Sequence, residues 1–173
     1  MLLLKLCILS VLALIFVQDI KSKSVYWLLF PILVLLSLLI RLEQHQFTDI
    51  DQSILVNISF LLFQFLIVSV YFSIKSKRLI NITREFIGLG DLLFLLSIAF
   101  YLSIINFLFF YLASLILILF GWLIWMVFSK EKNKHIPLAG LQAMMFSLLL
   151  VIDWWCVPIN ITNDNWLFHF VTK

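Results

Sequence analysis

Apolar residues run through this chain in blocks long enough to cross a bilayer, separated by short polar segments. The first block covers about residues 2–18 and closes in Gln18-Asp19-Ile20-Lys21-Ser22-Lys23-Ser24. It starts at the initiator Met without a basic stretch ahead of it, and no small-residue cleavage site follows. It is therefore expected to be a retained helix, not a cleaved signal peptide. A second block, about 25–40, contains Pro31 as an expected kink, and a polar loop at 41–52 follows. The third block, about 53–74, ends at Lys75-Ser76-Lys77-Arg78, and a short amphipathic connection at 79–86 leads onward. Residues 87–128 are apolar almost throughout. At ~1.5 Å per residue and ~30 Å of hydrocarbon, such a stretch holds two spans. Asn106, close to Ser103, is the expected turn between them. A last block, about 136–155, is led in by Pro137 and Gly140, and the polar-aromatic tail at 156–173 is expected at the membrane interface. The pattern predicts an all-α polytopic membrane protein with six transmembrane helices, forming a single membrane-embedded domain over 1–173.

Composition agrees with this class: 64% of the 173 residues are hydrophobic, 12% are charged, and the mean hydropathy is +1.16. Irregular backbone does not face lipid, and the blocks lack the alternation of a barrel, so the spans are helices. The net charge of +3 is no sign of a nucleic-acid partner here, because the charges sort by membrane side. Lys21 and Lys23, then Lys75, Lys77, Arg78 and Arg84, then Lys130, Lys132 and Lys134 hold nine of the twelve basic residues in three alternate loops. The positive-inside rule makes those loops cytoplasmic and both termini external, in a multi-pass protein of the cell's inner (cytoplasmic) membrane. Trp27, Trp122 and Trp125 then mark the inner interface, and Trp154, Trp155 and Trp166 the outer one. Cys7 and Cys156 form no CxxC pair, so neither a four-cysteine zinc site nor a disulfide framework is expected.

Two acidic residues stand out against this topology. Asp91 follows Gly88-Leu89-Gly90 at the mouth of the fourth block, and Asp19 closes the first. A charge at the centre of a membrane helix costs roughly 2.5–3.5 kcal/mol, less near its end, so each calls for a reason. Gly88 and Gly90 allow close approach of another backbone or a substrate. The topology sets Asp19 and Asp91 level with each other at the cytoplasmic face. Two neighbouring carboxylates share a proton, giving one general base for a water and one acid for the carbonyl oxygen or leaving amine. Peptide hydrolysis by such a pair needs no metal and no cofactor. The plainer reading is that each aspartate reaches out to water, with Asp19 in a solvated ion pair beside Lys21 and Lys23. Glu43, Asp49, Asp51 and Asp164 read as solvated outer residues, Asp153 as part of the outer aromatic belt, and Glu85 and Glu131 as cytoplasmic. His45, His135 and His169 are too dispersed for a metal site, and Gln64 and Asn106 read as interhelical hydrogen-bonding groups.

Gly88-Leu89-Gly90-Asp91 resembles the GxGD motif of intramembrane aspartic proteases, most closely the prepilin peptidases (type IV leader peptidases) and preflagellin peptidases. Asp19 followed by Lys21 and Lys23 is similar to that family's first aspartate and its basic segment. His135-Ile136-Pro137-Leu138-Ala139-Gly140 resembles the start of its last helix. The resemblance implies catalytic Asp19 and Asp91, supported by Gly88, Gly90, Lys21, Lys23 and Pro137. It implies a prepilin-like membrane protein as substrate, cut at its basic leader in type IV pilus assembly or protein secretion. The chain differs from the family at Val25-Tyr26-Trp27, where Ile-Pro-Asn is usual, and at Leu92-Leu93, where a lysine follows the aspartate. It does not carry the methyltransferase region of the bifunctional enzymes, so methylation is not part of the expectation. Two other classes stay open: an inactive membrane scaffold of the same fold, and a small transporter coupling protons through Asp19 and Asp91.

Overall fold

The computed structural model describes residues 1–43, 50–76, 88–128, 137–157 and 160–164. The regular elements among these residues are all helices: α1 Leu2–Ser22, α2 Leu29–Glu43, α3 Ile50–Ser76, α4 Leu89–Ala99, α5 Ile104–Phe128 and α6 Leu138–Val151, with a π-helical turn at Ile152–Cys156. Four helical stretches are long and apolar enough to cross a membrane, namely Leu2–Ser22, Gln52–Lys75, Ile104–Met126 and Leu138–Cys156. Helix α4, with 11 residues, is about 16 Å long and does not span ~30 Å of hydrocarbon by itself. The connection expected at 79–86, together with His45, Asp49, Glu85, Glu131, His135 and Trp166, lies outside the described residues.

The core lies between α1, α2, α4 and α6. Ile8, Leu12 and Ile15 of α1 and Leu33 of α2 are buried with Phe94 and Ile98 of α4 and Phe146 and Leu150 of α6. Phe146 is the aromatic centre, meeting Phe94 at 6.4 Å, Tyr101 at 6.1 Å and Phe110 at 5.4 Å, each edge to face. The large apolar side chains of α3 and the second half of α5 point outward, as a lipid-facing surface requires.

Contacts at the helix ends fix which residues share a level. At one end the N-terminal ammonium lies 3.6 Å from Glu43, and the Lys5 ammonium sits over the rings of Trp154 and Trp155 at 5.1 and 5.6 Å. At the other end α1 closes on Lys23, in the left-handed region at φ 52°, whose N–H donates to the Asp19 carbonyl. Asp19, Lys21, Lys23 and the starts of α4 and α6 gather there.

Three local expectations change. Helix α2 begins at Leu29, so Pro31 sits in its first turn, where no intrahelical N–H is needed and no kink arises. The break within 87–128 falls at residues 100–103, ahead of Asn106, which lies in the first turn of α5. The Asn106 amide donates to Ser103 Oγ at 2.8 Å, Ile161 O at 3.1 Å and Asn163 O at 3.3 Å, so it ties the tail to this turn. Gln64 does bridge helices, donating from α3 to the Tyr111 hydroxyl on α5. Arg41, expected in a loop, is in the last turn of α2 and 1% exposed.

Burying Arg41 has a physical reason. Ending α4 inside the bundle frees carbonyls that water cannot reach, and they must find protein donors. Arg41 donates from Nη1 to Phe100 O at 3.2 Å, and the buried Asn57 amide donates to Ala99 O at 3.2 Å and Leu102 O at 3.0 Å. Asp164, read as solvated, instead accepts the Ser103 hydroxyl at 2.6 Å, and Asp153 accepts the Asn160 N–H at 2.7 Å.

Candidate active site

Asp91 stands in the first turn of α4, with Gly88 as N-cap in an extended conformation at φ −62°, ψ 130°. The Asp91 N–H donates to Gly88 O at 3.0 Å, which folds the aspartate back over the glycine. A Cβ on Gly88 would lie 2.9 Å from Asp91 Oδ2, so the bare glycine makes room for the carboxylate in this position. Beside Gly90 the space is open, with nothing within 4 Å of where a Cβ would be. Of the room for close approach expected at both glycines, that at Gly88 is taken by the Asp91 carboxylate, and that at Gly90 is open.

Asp19 comes from the last turn of α1 and is 7% exposed. Its Oδ2 accepts the Gly140 N–H at 2.6 Å, a short bond of the kind a carboxylate makes with a free helix-terminal donor. A Cβ on Gly140 would stand 2.9 Å from Asp19 Cβ and 3.3 Å from the Phe16 carbonyl, so Gly140 sets how closely α6 approaches α1. Among the described residues Asp19 makes no ion pair with Lys21 or Lys23, both of which are exposed. Asp19 is therefore a buried, hydrogen-bonded group, not the solvated half of an ion pair.

The two aspartates meet at the beginning of α6. Asp19 takes the Gly140 N–H, while the backbone N–H groups of Ala139 and Gly88 approach the Asp91 carboxylate. Pro137 is the N-cap of α6, and the first turn of that helix has no acidic residue of its own. Its orphan N–H groups are left for carboxylates from α1 and α4, at the positive end of the α6 dipole. Asp19 and Asp91 are close enough to act on each other electrostatically. The sequence marked Pro137 and Gly140 as the beginning of a helix, and Pro137 as a supporting residue by resemblance, but not the Gly140 N–H as the partner of Asp19. The missed signal was a proline-led helix start with a glycine in its first turn and no acidic cap.

The other acidic side chains that the structure describes lie at the opposite end, where Glu43, Asp153 and Asp164 make the contacts given above. Among the described residues no three His, Cys, Asp or Glu side chains come together as a metal site. Beside the aspartates, a laterally placed apolar groove of about 600 Å³ runs between α1, α5 and α6. Ile20, Lys23 and Pro137 border it at the aspartate end. Comparison with protein-family models, curated proteins and solved structures gives no match for this chain.

Proposed function

We propose that this protein is a membrane aspartic endopeptidase of the prepilin peptidase type, with Asp19 and Asp91 as its catalytic pair. The observation that carries the reading is the convergence of two carboxylates, remote in sequence, on adjacent N–H groups of α6. One carboxylate takes a proton from a water as that water adds to the scissile carbonyl. The other, as a carboxylic acid, protonates the carbonyl oxygen, and a proton then passes to the leaving amine as the C–N bond breaks. Gly88 supports the position of Asp91, and Pro137 starts the helix on which both aspartates meet. Lys21 and Lys23 mark the cytoplasmic side of a six-span protein of the inner membrane with external termini, in which α2 is a shorter span and α4 crosses together with the turn at residues 100–103 that follows it. The substrate is a prepilin-like protein with a short basic leader ahead of an apolar helix, cut just before that helix. Co-expression with such a protein, followed by intact mass, is the test. Loss of the leader supports the proposal, and an unchanged mass with both proteins present in the membrane counts against it.

One observation favours a second reading. The Gly140 N–H on Asp19 is also a helix cap, so the aspartates could serve only to hold α1, α4 and α6 together, in an inactive scaffold of this fold. In that case Asp19→Asn lowers the unfolding temperature and no substrate is processed by the parent.

A further inference from the structure

The groove between α1, α5 and α6 has a chemistry of its own. Trp122 and Trp125 line it from one face of α5, and Met144 and Met145 from one face of α6. Gly121, next to Trp122, faces open space, with nothing within 4 Å of where its Cβ would be, so no side chain fills the groove at that point. Thioether side chains adapt to an irregular flexible chain. Tryptophans suit the level where hydrocarbon gives way to headgroups. Lys23 is the charged residue lining the groove among the described residues, and it stands at the end of α1 where the apolar lining stops.

We propose that this groove is a binding site for an anionic phospholipid, with one acyl chain along Gly121, Met144 and Met145 and the phosphate at the Lys23 ammonium. The choice of occupant rests on the pairing of a long apolar wall with a cation, Lys23, at its interfacial end. Apolar walls alone accept any lipid tail, and the lysine selects for a negative headgroup. A second copy of the chain, or a peptide helix, would displace lipid and leave no headgroup preference.

The test uses the full-length protein in phosphatidylcholine vesicles containing a small, equal mole fraction of chain-brominated phosphatidylglycerol or chain-brominated phosphatidylcholine. Bromine quenches tryptophan fluorescence on contact. The expected result is excess quenching by the anionic lipid, corresponding to about fivefold local enrichment, the factor that one lysine near the membrane surface supplies. The excess should disappear in Trp122→Phe/Trp125→Phe and in Lys23→Gln, and survive in Lys23→Arg. Gly121→Leu, which fills open space, should reduce the excess while the lysine stays in place. Equal quenching by the two lipids overturns the proposal. So does an excess that persists undiminished in Lys23→Gln or Gly121→Leu.

Discussion

Gly140 and Gly88 both face the aspartates, yet a methyl group added to each would meet different obstacles. At Gly140 the obstacles are Asp19 Cβ and the Phe16 carbonyl, parts of α1 that move only if the helix moves. Gly140→Ala is expected to lower stability by about 1–3 kcal/mol, the usual cost of overpacking, read as a lower thermal midpoint in detergent. At Gly88 the obstacle is the end of the Asp91 side chain, which can rotate away. Gly88→Ala should leave stability nearly unchanged and cut activity, because the carboxylate loses its position. Gly90→Ala, with open space around it, should fold like the parent. At this scale both aspartates were legible, because a carboxylate is conspicuous beside apolar runs. The N–H groups that receive them were not, since a backbone donor leaves no letter in a sequence. Gly90 was read with Gly88 as one motif, and only their surroundings distinguish them.

Helix α4 is the element the sequence described least well. The almost continuously apolar stretch from 87 to 128 reveals that a break must occur but not where. Its place follows from Arg41 and Asn57, far away in the chain, which take up the carbonyls of the α4 end. Arg41 looked like a loop residue because it borders a polar stretch, and its burial depends on the tertiary contact. Asn57→Leu is expected to leave those carbonyls without their donor and to destabilise the protein by about 1–3 kcal/mol. Arg41→Met should be at least as severe, because a charged donor is lost from the same turn. Denaturation in detergent would measure both, and the double variant should fall short of the sum, since the two side chains serve one turn. Pro31 makes a related point: proline signals a helix start as well as a kink, and the register of α2 decides between them.

Over the whole molecule, the helical class and the apolar surface were legible in composition, and four helices among the described residues are long and apolar enough to cross a membrane. The relative levels of the ends were also legible, since Met1 lies by Glu43 while Asp19 lies at the start of α6. Absolute sidedness rests on the lysines. In a variant without Cys7 and Cys156, a cysteine at position 21 should resist a membrane-impermeant reagent added to intact cells, and one at position 43 should react. The reverse pattern would place the aspartates at the external face. The claim that Asp19 and Asp91 form one catalytic unit is tested most directly by the rate of leader removal from a co-expressed prepilin-like protein. That rate should be compared among Asp19→Asn, Asp91→Asn, the double variant and Asp153→Asn, at matched protein levels. Each single change should abolish cleavage, the double should be no worse than either, and Asp153→Asn, at the opposite end of the bundle, should cleave like the parent. Cleavage by Asp19→Asn at the parental rate would contradict the account.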